Sequence, residues 1–280
     1  MKRKCTYLVA ALALGVVAIA STGCQKLKAR DSLNKGVQAF KNAKYSDAVE
    51  KFKTAVDLDP TFTSARLYLA VAYYQQYVPG ADSPENLKML NAGREQFMKV
   101  LEEDPNNLIA VQYMAQLNFN ESSGIADLSQ KLAKLDEAKK WYQKLLQIDP
   151  NNKEAYYTLG VIAWGKWYPA LLETRNKLGM RLEDPGPLKD KKARDDLRAQ
   201  YWGTIDEAMQ DLKHALDIDP KYDDAMSYMN LLYRERADLA DTPDEYKADI
   251  QSADKWLDQA LSTRKAKANA AGQATGAPAK

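Results

Sequence analysis

Apolar residues recur every three or four positions through most of the chain, the spacing that lays one greasy face along an α-helix. Four of these runs stop at the same signal, an acidic residue followed by proline: AVDLDP, LEEDP, LLQIDP and ALDIDP, ending at Pro60, Pro105, Pro150 and Pro220. Proline has no N–H to donate and disfavours helical geometry in the residue before it, so each stop marks a helix end. The stops stand 45, 45 and 70 residues apart. Such recurrence predicts a stack of helical hairpins, each unable to bury its apolar face alone. After Pro220 the pattern continues through DDAMSYMNLLYRERADLAD, breaks at Thr242-Pro243, and resumes in KADIQSADKWLDQAL with Ala253, Leu257 and Ala260 in register, which closes the array with a fifth pair.

The first unit carries a more specific pattern. Between Ala29 and Pro60, the residues Gly36, Tyr45, Ala48, Phe52, Ala55 and Pro60 resemble the signature of the tetratricopeptide repeat, TPR, in which small residues sit where two antiparallel helices cross and aromatics fill the space beside them. Ala138, Tyr142, Leu145 and Pro150 repeat the second-helix part, as do Ala208, Leu212, Ala215 and Pro220, while Leu159 and Gly160 match a first helix. The resemblance implies an all-α fold, a TPR-like α-solenoid of about five hairpins with insertions, over residues 29–263. It also implies a concave face of the kind that TPR proteins use to hold a peptide. By analogy that face carries Leu67, Val71 and Tyr74, then Gln112, Gln116 and Phe119, then Tyr157, Val161 and Trp164. The stripe lacks the Lys and Asn pattern that clamps a terminal carboxylate, so an apolar or uncharged polar partner is expected there.

Departures from the family pattern locate the insertions. Against a repeat of about 34 residues, the second and third units each gain 11 residues, containing VPGADSP and NESSGIADL, and both must break before the second helix resumes. The fourth gains 36, residues 165–200, which read as a helix over Pro169–Lys177, an irregular EDPGP stretch, and a lead-in to the helix of Ala208. Long insertions in compact arrays usually carry function or stay unstructured. Trp164, Trp167 and Tyr168 precede this one and Tyr201 and Trp202 follow it, so the five rings are expected to lie together. They form either a platform for a sugar or small ligand, or the packing that seats the insertion.

Composition changes the picture little in the body and much at the start. The 280 residues are 45% hydrophobic and 28% charged, with 40 basic and 38 acidic side chains, a balance that gives no argument for a nucleic-acid partner. Residues 1–23, however, open with MKRK and continue in an apolar run from Tyr7 to Ala20, shorter than the roughly 20 residues a membrane span needs, which reads as a signal segment that is removed. Ala18-Ile19-Ala20 fits ordinary cleavage, and Thr22-Gly23-Cys24 resembles the bacterial lipobox, with Ser21 where that family usually has Leu. Cys24 and Cys5 are the two cysteines, so none remains in the body; a lone exported thiol at a chain end would be a redox liability that acylation removes. Lipidation at Cys24 followed by a 24–28 linker is the expectation, with anchoring to the membrane through the N-terminal lipid. By family resemblance Gln25 then implies the periplasmic face of the outer membrane, and envelope proteins as partners. Removing Lys2, Arg3 and Lys4 leaves 37 basic against 38 acidic residues, a net charge of −1.

Catalytic chemistry finds no foothold. His214 is the one histidine, the body lacks a thiol nucleophile, and no metal cluster, phosphate loop or nucleophile elbow is present, so no cofactor or metal is expected. The pairs Asp195-Asp196 and Asp223-Asp224 read as surface or helix-start charge. The tail over 264–280 is low in complexity and reads as disordered.

Overall fold

The computed structural model describes residues 23–275. Among these there are ten helices and no strand: α1 over 23–41, then α2 Tyr45–Leu58, α3 Thr63–Tyr74, α4 Pro84–Glu103, α5 Leu108–Ser122, α6 Leu128–Ile148, α7 Lys153–Lys177, α8 Lys191–Ile218, α9 Asp223–Ala237 and α10 Pro243–Thr275. They follow one another as five successive helix pairs, the architecture that the recurring stops predict. The chain divides into two compact units, Met1–Ala138 and Lys139–Lys280. The expected signal segment lies outside the described residues, save for Gly23.

The acidic residue of each stop has a mechanical reason. Asp59, Asp104 and Asp219 cap the ends of α2, α4 and α8 with φ of −140°, −133° and −129° and ψ near 90°, the extended geometry that a following proline enforces. Each still donates its own N–H to the residue four back, and its side-chain oxygen then accepts the N–H two residues on, from Thr61, Asn106 and Lys221. Aspartate thus folds the chain back over the proline in a compact turn. On the far side, Asn107 and Asn152 accept from Ala110 and Ala155 and start α5 and α7.

In the first unit α1 and α2 close on Ala48 and Phe52, both without exposed surface, with Leu69 and Ala72 of α3. A Cβ on Gly36 would stand 2.5 Å from the Phe52 ring, which is why the small residue is required there. The first insertion becomes a loop over 75–83 plus an N-terminal extension of α4. Buried Asn86 holds that loop: its Oδ1 accepts from Val78 N at 2.7 Å and its Nδ2 donates to the carbonyls of Val78 and Ala81 at 2.9 and 2.8 Å. Ser83 caps α4 by accepting from Asn86 N, with Pro84 at the first helical position. The second insertion breaks at 123–127, as expected, and Asp127 accepts from Gln130 N to restart the chain as α6.

In the second unit the signature positions Tyr142, Leu145, Ala208, Leu212 and Ala215 are all buried. Gly160 of α7 lies where a Cβ would meet Leu212 at 2.7 Å and the Ala208 carbonyl oxygen at 3.1 Å. Thr242 and Glu245 form a reciprocal cap at the start of α10, each side chain accepting a backbone N–H of the other's turn.

Four expectations are corrected. Residues 24–28 are not a linker but part of α1. Of the tail over 264–280 expected to be disordered, residues 264–275 are helical, held at their base by Arg264 and Lys267, which pair with Asp223, and 276–280 lie outside the described residues. Leu257, placed in register with Ala253 and Ala260, is 37% exposed where those two are buried, and the neighbouring Trp256 packs on the core. Finally, Pro169 does not begin a separate helix. It lies inside one continuous 25-residue α7, where it removes a single N–H bond to the Gly165 carbonyl without ending the helix.

Candidate functional site

The 36-residue insertion does not bulge from the array as a separate lobe. It lengthens both helices of the fourth hairpin and joins them by a loop over 178–190. The lengthened part continues the core of the unit with Trp167, Leu171, Met180, Leu188 and Leu197, all buried. Two positions on this apolar stripe are charged. Arg175 follows Leu171 by one helical step and is buried; Glu235 stands between Leu232 and Leu239 on α9 and is equally so.

Arg175 is the rivet of the loop. Its Nη1 donates to Asp238 Oδ2 at 2.5 Å, and its Nη2 donates to the carbonyls of Arg181 and Asp184, both at 2.6 Å. Its Nε, also buried, finds no partner among the described residues. Asp238, the C-cap of α9, accepts Leu188 N on its carbonyl at 2.9 Å. Gly186 passes so close that a Cβ would come within 2.2 Å of Asp238 Oδ1. At the tip, Arg181 grips Asp184 through backbone and guanidinium, which holds the Asp184 carboxyl below the usual carboxylate range.

Glu235 accepts from two indoles at once, Trp164 Nε1 at 2.9 Å on Oε1 and Trp167 Nε1 at 2.7 Å on Oε2. Burial pushes its carboxyl up to about 7, against the pull of those two donors and with the nearby Asp238 carboxylate adding to the rise.

Between these groups lies a cavity of about 490 Å³, lined by Trp164, Tyr168, Leu171 and Arg175 of α7, the loop residues Leu182–Gly186, and Leu231, Arg234, Glu235, Asp238, Tyr246 and Ile250. Its volume falls within the range of ordinary small-ligand sites.

The five rings at the insertion's root divide. Trp164 stacks on Tyr168 at 4.8 Å and Trp167 tilts against Tyr201 at 6.0 Å. Trp202 instead lies 42% exposed on α8, under the guanidinium groups of Arg198 and Arg236 at 5.2 and 5.9 Å. Trp167 has no exposed surface.

The stripe residues are half-buried throughout. Tyr74 packs edge-on against Tyr113 at 5.0 Å and its hydroxyl accepts from Asn120 Nδ2 at 2.9 Å. Gln112, Gln116 and Phe119 follow along α5. Tyr157 packs on Tyr222 and Tyr228 at 5.0 and 5.7 Å, Val161 lies one step further along α7, and Trp164 meets Tyr228 edge-on at 5.5 Å. Burial raises the Tyr157 and Tyr222 hydroxyls, the latter to about 12. Cys24 is exposed in the first turn of α1. His214 lies against Tyr156 at 5.1 Å. The two acidic pairs are charge-matched, Asp195 and Asp196 by Lys191 and Lys192, Asp223 and Asp224 by Arg264.

Sequence reasoning missed Glu235, Asp238 and Arg175. The available signal was the register: in Ala225, Met229, Leu232, Glu235 and Leu239 the steps of three and four run on without interruption, so the carboxylate occupies a core position.

Successive helix pairs with a small residue at the crossings of α1 with α2 and of α7 with α8 give the chain a TPR-like helical-repeat fold. Residues 131–166, from α6 into α7, match the family model described as TPR repeat. Among solved structures, the "MamA RS-1 ArsTM double mutant" is 13% identical, covers 86% of this chain and 96% of its own, and has a TM-score of 0.54. "MamA 41-end from Desulfovibrio magneticus RS-1" is 14% identical, with 84% and 96% covered and a TM-score of 0.53. These likenesses speak for the fold. No curated protein sequence matches the chain. No helix among the described residues is long and apolar enough to cross a membrane.

Proposed function

We propose that the protein is a non-catalytic scaffold that holds protein partners in the bacterial cell envelope, tethered through a lipid on Cys24 at the periplasmic face of the outer membrane. The observation that carries this reading is the run of five TPR-type hairpins, since helical-repeat arrays act by presenting an extended surface rather than by chemistry. Cys24 at the exposed start of α1 supports the tether, because α1 runs on from it directly. Two carboxyls are pushed up to about 7, buried Glu235 and half-buried Asp211, yet each has a structural cause: desolvation in both, with Glu207 close to Asp211. The glycan alternative finds less support, since Trp167 is sealed and Trp164 is committed to Tyr168 and Glu235.

On the partner side, Tyr157 and Trp164 are engaged within the second unit, so the stripe is best probed at Gln112 and Gln116. A photo-reactive residue placed at either position in living cells is expected to capture the same envelope protein reproducibly. Capture no different from a control position on the α8 surface would remove α5 as the contact face. Mass spectrometry of the mature chain is expected to show an acylated N-terminal Cys24; an unmodified chain beginning at Ser21 would remove the tether.

A further inference from the structure

The cavity at the fourth hairpin has a charge pattern that the scaffold reading does not use. Its lining carries two guanidinium groups, Arg175 and Arg234, and four carboxylates, Glu183, Asp184, Glu235 and Asp238. Most of these are matched. Arg175 takes Asp238 at 2.5 Å, Arg234 takes Asp254 at 2.5 Å, and Arg181 covers Glu183 and Asp184 at 3.3 and 3.0 Å. Glu235 is the exception: among the described residues, it is the lining carboxylate without a cation, held by two neutral indole donors.

A buried carboxylate without a countercharge is costly, and a protein ordinarily pairs it or neutralises it. Here the surroundings are suited to receiving the missing charge from outside. The cavity wall next to Glu235 is the ring system of Trp164 stacked on Tyr168, and aromatic faces attract cations. Beside the charged groups already matched, Leu171, Leu172, Leu231 and Ile250 supply aliphatic wall. A single lysine head would leave most of about 490 Å³ unfilled, whereas an apolar body attached to the charge would fill it.

We propose that this cavity is a binding site for a small organic cation with an apolar body, an aryl or alkyl amine whose charged nitrogen meets Glu235 beside the Trp164–Tyr168 ring pair. The site is independent of the scaffold function: it lies within the second unit and needs neither the N-terminal lipid nor the α5 stripe.

The indoles that hold Glu235 are also the reporters. In the full-length protein, labelled with ¹⁵N and with indole signals assigned through Trp164→Phe and Trp167→Phe, benzyltrimethylammonium is expected to displace the Nε1–H resonances of Trp164 and Trp167 in a saturable manner. Phenylacetate, of similar size and opposite charge, is expected to leave them in place. Glu235→Gln should weaken benzyltrimethylammonium binding by roughly tenfold or more, on the scale of one lost charge contact in a partly desolvated site. Leu182→Lys, at a rim residue that is 64% exposed, should weaken it by roughly threefold through like-charge repulsion without touching the core. Indole signals that stay fixed up to millimolar benzyltrimethylammonium would overturn the proposal, as would equal binding of phenylacetate. If Glu235→Gln fails to fold, Leu182→Lys decides: an unchanged affinity in that variant also overturns it.

Discussion

Glu235 shows how a single residue ties stability to pH. Its carboxyl stands at 4.5 in an open chain and about 7 in the fold, so the folded protein holds the proton more tightly. By linkage, the stability this confers is complete below about 4.5 and is lost as pH rises through about 7. The groups facing it are the two indoles of α7, the Tyr228 hydroxyl of α9 and the carboxylate of Asp238 at the end of α9, and only the last is charged. Wild type is therefore expected to lose up to about 3 kcal/mol over this window that Glu235→Gln does not lose. Urea unfolding of both proteins at pH 5 and pH 8 measures it as a difference, which cancels the parallel contribution of Asp211. Parallel slopes would mean that the carboxyl is not raised. Two glycines give a second contrast. Gly160→Ala drives a methyl into Leu212 and the Ala208 carbonyl and should cost about 1–3 kcal/mol, whereas Gly203→Ala, in the middle of α8 with nothing within 4 Å, should gain about 0.5–1 kcal/mol. Thermal melts of the two variants should shift in opposite directions. Gly160 was legible in the sequence because the TPR signature marks it; Glu235 was not, because a lone acid between two arginines in YRERADLAD looks like surface charge until its register is counted.

At the scale of elements, what could be read depended on whether a boundary is enforced by covalent chemistry or by contacts. The Asp-Pro stops placed the ends of α2, α4 and α8 correctly because proline imposes them on any chain. Pro169 misled for the complementary reason. A proline within a helix removes one bond, and the packing of Trp167 and Leu171 on either side of it outweighs that loss. The tail was hidden in the same way: Ala- and Lys-rich sequence has helix propensity but no apolar stripe, and its base is fixed by Arg264 and Lys267 reaching Asp223. The loop over 178–190 depends on Arg175. Breaking the buried pair from one side, as in Arg175→Met or Asp238→Asn, should cost about 3–5 kcal/mol each, and the double variant should cost clearly less than the two combined. Additive costs in chemical denaturation would show that the two groups act separately.

Within each unit most contacts run between helices adjacent in sequence, α2 with α3, α3 with α4 and α4 with α5 in the first, α7 with α8, α8 with α9 and α9 with α10 in the second, with smaller ones between α3 and α5 and between α7 and α9. Stability in such a chain is close to a sum of local hairpin terms and nearest-neighbour terms. Gly36→Ala, which collides with Phe52, is therefore expected to speed amide exchange in α1, α2 and α3 while leaving α9 and α10 at their wild-type rates. Acceleration spread evenly along the chain would contradict a local origin. The repeat count was readable because repetition is a property of the sequence itself. The cavity was not, since it arises from residues of α7, the loop, α9 and α10 that meet only after folding.

The loop of the fourth hairpin is fastened twice, at Arg175 and at Leu188, and between those fastenings Arg181, Leu182 and Glu183 face outward. Of these, Arg181 holds Asp184, while Leu182 and Glu183 can be rewritten without disturbing the frame that presents them. They form a small variable fingertip at the mouth of the cavity, where relatives of this chain could alter what they admit while keeping an unchanged stack beneath.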